Sequence, residues 1–223
     1  FQSAFEPCLW ELYINAYLRE MNIGVDFSFH APDFVTMNHR VFTMEATTAL
    51  PPMGGPAPYG PGPPSLPDDF NAFNSESTLR ISNSFTSKVN KYRTSYVNLQ
   101  HVQGKPFVLA IASYDRPGSH LAASRPVLSA LYGIYHDEEL TISSGAQRVI
   151  SYDVEGVRKR SGADVPLGFF CTNDYSEVSA VVYSCLATWG KIRALAKNPK
   201  DFSIFTTFHP NPGHLAPLIR QTP

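Results

Sequence analysis

Pro32-Asp-Phe-Val-Thr-Met-Asn-His-Arg-Val-Phe-Thr-Met-Glu-Ala-Thr47 is the stretch on which the fold turns. Phe34 and Val35 precede a turn at Met37-Asn38-His39. Val41, Phe42, Thr43 and Met44 follow it and lead into Glu45. β-Branched and aromatic residues on both sides of a polar turn predict a β-hairpin. Asp33 opens its first strand and Glu45 lies near the end of its second. In an antiparallel pair those ends meet, so two carboxylates come side by side. Such a pair repels itself unless a shared proton or a cation neutralises it. A hard divalent ion held by one or two carboxylates and a substrate phosphate is the usual solution.

The flanks give the hairpin a context. Residues 3 to 22 predict a helix: Ser3 as cap, Glu6 three residues later, Pro7 in the first turn, and Leu9, Tyr13, Ala16 and Tyr17 at helical spacing. Glu6 lies one turn before Leu9 and Trp10. It either points at the hairpin or serves as a helix N-terminal charge. Glu11 and Glu20 read as solvated. Val25 to His30 alternates apolar and polar residues, predicting a strand with Val25, Phe27 and Phe29 on its core face.

After the hairpin, residues 51 to 67 are so dense in proline and glycine that no helix or central strand survives there. They form a loop, either a surface insertion or an arm for a protein partner. Residues 75 to 101 predict a long amphipathic helix, capped by Ser75 or Ser77. Its stripe is Leu79, Phe85, Val89, Tyr92, Tyr96 and Leu99, with Lys88 and Lys91 on a shared face. Phe107 to Ala112 is an uninterrupted apolar run and predicts a central strand buried on both faces, parallel to a neighbour. Ser113-Tyr114-Asp115 falls at its carboxyl end, where open α/β sheets bind ligands, although Asp115 before Arg116-Pro117-Gly118 also suits a turn.

This order of elements and acids resembles the PD-(D/E)XK nuclease superfamily over roughly residues 5 to 135. The carriers are Pro32-Asp33, the hairpin, Glu45-Ala46-Thr47, an acid (Glu6) on the upstream helix, and the helix and strand downstream. Thr47 stands where the superfamily has lysine. The resemblance implies an α/β fold with a mixed central sheet flanked by helices, a restriction-endonuclease-like core, and a β-rich extension from about residue 136 onward. It implies a metal-dependent nuclease hydrolysing phosphodiester bonds, on DNA rather than RNA. Asp33, Glu45 and the backbone carbonyl of Ala46 would hold Mg²⁺ or Mn²⁺, with Glu6 as a third acid. In this superfamily the lysine sometimes migrates to the following helix, which points to Lys88, next to Val89 in the stripe, or else Lys91. With Thr47 in that position, a catalytically inactive module of the same fold is the alternative. A protein-interaction domain working through residues 51 to 67 is another.

Composition narrows the field. A formal net charge of −1 gives no long-range field to draw in nucleic acid, so any phosphate contact must be local. Arg158-Lys159-Arg160 is the best such patch. Three scattered cysteines, Cys8, Cys171 and Cys185, argue against a disulfide scaffold and a zinc knuckle. They suit buried thiols in a reducing compartment, cytoplasmic or nuclear. Beyond Ser124, which caps a helix running to Tyr132, the pattern predicts strands at 140–142, 148–152, 180–186 and 202–208. His209 and His214 near the end make a weak metal pair.

Overall fold

The computed structural model describes residues 4–58, 65–159, 161–188, 192 and 195. It is an α/β protein built on a five-stranded mixed sheet, order β1-β2-β3-β4-β9, with helices on both faces. β1 (Gly24–Asp26), β2 (Phe34–Met37) and β3 (Thr43–Ala49) run antiparallel in turn. β3, β4 (Phe107–Ser113) and β9 (Val178–Ser184) run parallel.

The hairpin forms where the sequence places it. Asn38 takes the left-handed conformation the turn requires, at φ 69°. Buried Thr36 closes the turn by donating its hydroxyl to the carbonyls of Arg40 and Phe42, each at 2.7 Å. The central strand is also as predicted: every residue of β4 is buried. Alternation then divides the sheet's two faces. Met44, Ala46, Val108, Ala110 and Ala112 pack with Trp10, Tyr13, Ile14 and Leu18 of α1 (Phe5–Glu20). Trp10 pins that helix by donating its indole N–H to the Ala110 carbonyl at 2.9 Å. Phe107, Leu109, Ile111 and Ala49 pack on the other face with Ile81, Phe85 and Val89 of α2 (Phe70–Lys91). Glu45, in step with Ala49 along β3, is therefore turned to the α2 face.

Several boundaries differ from the sequence reading, each for a local reason. α2 begins at Phe70 because Asp69, not Ser75 or Ser77, caps it, accepting the Ala72 N–H at 2.8 Å. It ends at Lys91 in a π-helical turn, Tyr92–Tyr96, instead of continuing to 101. α1 has no side-chain cap and stops at Glu20; Ser3 lies outside the described residues. β1 is three residues long, so Phe27 and Phe29 are exposed; Phe27 packs edge-on to Phe34 and Phe29 stacks on His101.

α3 (Arg125–Tyr132) begins after Ser124 as expected, though the Ser124 hydroxyl makes no cap bond. The strand expected at 140–142 is instead helix α4 (Glu138–Ser144). Asp137 caps it at the Leu140 N–H, and two acids sit in its first turn. β5 (Ile134–Asp137) pairs with β6 (Ile150–Asp153), and β7 (Gly156–Arg158) with β8 (Asp164–Pro166). The region after residue 135 is rich in strands, but it is not merely appended: β9 lies beside β4 in the central sheet. No helix or strand occurs among the described residues of 51–67. The strand expected at 202–208 and the pair His209 and His214 lie outside the described residues. No helix among the described residues is long and apolar enough to cross a membrane.

Candidate functional site

The hairpin's strands part company where its carboxylates sit. β2 pairs with β3 only at Phe34–Met44 and Val35–Thr43. β3 runs on to Ala49 against β4, leaving its other edge without a strand partner among the described residues. Asp33 takes over there: its Oδ2 accepts the Ala46 N–H at 2.8 Å. A strand residue's carbonyl lies on the same edge as its N–H, so the Ala46 carbonyl belongs to this opening too.

Glu45 is one residue away and 1% exposed, on the face that packs against α2. A lone carboxylate there would be expensive. It is offset by three donors from α2 and the π-helical turn. The Lys88 ammonium donates to Glu45 Oε1 at 2.6 Å and that of Lys91 to the same oxygen at 3.0 Å. The Tyr96 hydroxyl donates to Oε2 at 2.9 Å. The two lysines are three residues apart and share a helix face, as their spacing predicts. Tyr96 reaches the site because the helix widens: Val97 N–H bonds to the Tyr92 carbonyl at 3.0 Å, five residues back. Such π-turns recur at functional sites. Lys91 also lies 5.0 Å from the centroid of the Tyr96 ring.

The electrostatics divide the two acids. Burial works against the Glu45 carboxylate, but Lys88 and Lys91 hold its pKa below the ordinary value. Asp33 goes the other way. Burial first, and then repulsion from Glu45, pushes it up to about 6, outweighing the Ala46 N–H. Glu11 is raised for the same two reasons, burial and Glu45. Tyr96 is pushed up to about 12 by burial and by Glu45, against the pull of Lys91. Lys91 is held up by Tyr96 and Glu45 although burial opposes its charge.

Asp33, Glu45 and Lys88 thus come together with the Ala46 backbone, as the sequence led us to expect. Thr47 follows Glu45 on the same face, half-buried, and the Lys88 ammonium reaches Glu45 from α2. Glu6 is not part of the group. The α1 carboxylate in electrostatic reach of Asp33 and Glu45 is Glu11, exposed as the sequence reading has it but coupled to both acids. Tyr96 was also missed, because its helical spacing placed it in the apolar stripe. Asp115 is buried at 1% exposure but belongs to a separate knot. It accepts from Ser77 at 2.8 Å, Ser113 at 2.7 Å and Arg116 at 2.7 Å.

Among the described residues no three His, Cys, Asp or Glu side chains are arranged to hold a metal ion. Any ion here would rest on two carboxylates and backbone. The donor set is all oxygen, which suits Mg²⁺ or Mn²⁺. Asp33, raised first by burial and then by the neighbouring Glu45 anion, has no cation bonded to it among the described residues. Glu45 already shares its charge with two lysines. The residues present therefore fit a hard divalent ion centred on Asp33.

Comparison of the chain with protein-family models, curated proteins and solved structures finds no match in any of the three.

Proposed function

We propose that the chain is a nuclease with a restriction-endonuclease-like core, hydrolysing phosphodiester bonds of nucleic acid, DNA in preference to RNA, with Mg²⁺ or Mn²⁺. The observation that carries this reading is the split hairpin. Where β2 leaves β3, a carboxylate raised to about 6 stands beside a second one gripped by two lysines of the next helix. Helix, antiparallel hairpin, helix and parallel strand follow in the order the PD-(D/E)XK resemblance implies.

Asp33 and Glu45, with the Ala46 carbonyl, would hold the ion, which supplies Lewis-acid polarisation of the phosphate and a more acidic water. The chain's own groups do the rest. Asp33 is ionised above about pH 6 and provides the charge that attracts the cation. Tyr96 and the lysines fix the Glu45 carboxylate. Lys88 and Lys91 set fixed positive charge beside the reacting phosphate, offsetting negative charge that develops in the transition state.

The second reading, a catalytically inactive module of the same fold, draws on one observation: both Glu45 oxygens are already engaged by protein donors. Incubation of labelled single- and double-stranded DNA with Mn²⁺ or Mg²⁺ separates the two. Wild-type cleavage that falls at least a hundredfold in Asp33→Asn and Lys88→Met, with both variants folded, supports the nuclease. No cleavage by the folded wild type on any of these substrates leaves the inactive module. Full activity in Asp33→Asn removes the proposed site.

A further inference from the structure

Two clefts adjoin on the flank of α2, away from Glu45. One, of about 540 Å³, lies between the N-terminal half of α2 and the β7–β8 hairpin. Its lining carries three cations, Arg80, Arg158 and Lys159, against one acid, Glu76. Glu76 is already paired with Arg116 at 3.2 Å. Arg158 is held loosely, by an exposed ion pair to Asp164 at 3.1 Å. The Arg80 Nε is buried and has no hydrogen-bond partner among the described residues. Arg80 as a whole is half-buried and lines the cleft, so the rest of its guanidinium can meet a phosphate there.

The second cleft, of about 210 Å³, shares Ser75 and Arg158 with the first. It is lined by Tyr135 and Tyr152, whose rings lie 5.3 Å apart, and Tyr152 is 47% exposed. Basic groove beside aromatic recess is the pattern that holds a single strand: cations track the backbone and rings take the bases. Arg80 precedes Lys88 by eight residues, about 12 Å along the helix, the span of two or so phosphates of an extended strand.

We infer that these clefts form a nucleotide subsite for the strand leading away from the Asp33–Glu45 site, with a phosphate on Arg80, Arg158 and Lys159 and a base on Tyr152. The inference rests on the nucleic-acid reading above and adds the strand's path and a preference for a single strand. The basic run read from the sequence gains a place in it through Arg158 and Lys159; Arg160 lies outside the described residues.

The test is fluorescence anisotropy of a labelled single-stranded DNA 12-mer in EDTA, so that binding is read without cleavage, across a salt series. Arg158→Gln/Lys159→Gln, in an exposed hairpin, should weaken binding about tenfold or more and flatten the log–log salt slope by about one for each phosphate left unneutralised. Arg80→Gln should do the same, with its fold checked by circular dichroism. Tyr152→Ala should weaken the single strand about fivefold or more while leaving the salt slope unchanged. A duplex of the same sequence and free nucleoside monophosphate form the comparison arms. Tighter binding of the single strand than of either supports the subsite. Wild-type affinity and slope in the double variant overturn it, as does equal weakening of duplex and single strand in Tyr152→Ala. Wild-type binding that the variants weaken, without cleavage under any divalent ion, keeps the subsite and removes the hydrolytic reading. Cleavage with unaltered binding in the variants does the reverse, and no wild-type binding to any arm removes both.

Discussion

Replacing Asp33 by Asn should make the metal-free protein more stable at alkaline pH. The carboxyl is ordinarily near 3.8 and stands at about 6 in the folded chain, through burial and the nearby Glu45 charge. At 1.36 kcal/mol per pH unit the gap is about 3 kcal/mol, and partial solvent exposure reduces it to about 1–2 kcal/mol. The sign follows from linkage. Below pH 3.8 the group is protonated in folded and unfolded chains alike, and the wild type has its full stability. Between about pH 3.8 and 6 the unfolded chain has released a proton that the folded chain still holds, so stability falls across that range and levels off once both are ionised. Asn carries no charge to desolvate, and its side-chain oxygen can still accept the Ala46 N–H. For a domain of this size, 1–2 kcal/mol corresponds to about 2–8 °C in Tm. Thermal melts of both proteins in EDTA, from pH 4 to pH 8.5, read the effect. The variant should gain on the wild type as pH rises, with most of the change between about pH 4 and 6 and little beyond pH 7. Adding Mn²⁺ at pH 7.5 should raise the wild type and not the variant. A variant less stable than the wild type at pH 8 would show that Asp33 is a satisfied structural acid, and the reasoning would fail.

Four further outcomes follow from the same geometry. Glu45→Gln strands two ammonium groups and should cost about 2–4 kcal/mol in urea denaturation. With the neighbouring anion gone, it should also lower the Asp33 pKa toward its ordinary value, followed by carboxyl NMR; no downward movement would uncouple the two acids. Tyr96→Phe should cost about 1–3 kcal/mol, the range for a hydrogen bond to a charged group, with the fold kept. Asp115→Ala should destabilise by about 2–4 kcal/mol by leaving the Ser77 and Ser113 hydroxyls without their acceptor and Arg116 with Glu76 as its remaining ion pair, while cleavage per folded molecule stays at the wild-type level. Cleavage should fall as pH drops through about 6 and Asp33 protonates, measured as a pH–rate profile at saturating Mn²⁺; bound cation moves that midpoint downward and never upward.

Much of the sheet was legible because its signals are local. Thr36 to Phe42 is a short turn between β-formers, and Phe107 to Ala112 has no polar interruption. The chain between them was read less well. Asp69 and Asp137 cap α2 and α4, yet both sit among other polar residues, where a cap is hard to tell from a loop acid. Leu140 and Ile142 alternate like a strand but lie exposed on α4, because Asp137 and two first-turn acids favour the helix. The candidate site was half legible. Asp33 and Glu45 are fixed by hairpin register, and Lys88 with Lys91 by helical spacing. Tyr96 was hidden because a π-turn shifts the helical phase that assigned it to the core. Glu11 over Glu6 depends on how α1 rotates on the sheet, and that is set by the Trp10 bond to Ala110 across 100 residues of chain.

Calorimetric titration of Mn²⁺ into the wild type and into Asp33→Asn at pH 7.5 tests the central claim most directly. One saturable divalent site in the wild type, absent from the variant, is the predicted result. Equal heats in the two proteins, or none in either, would mean that the opening between β2 and β3 does not gather a cation.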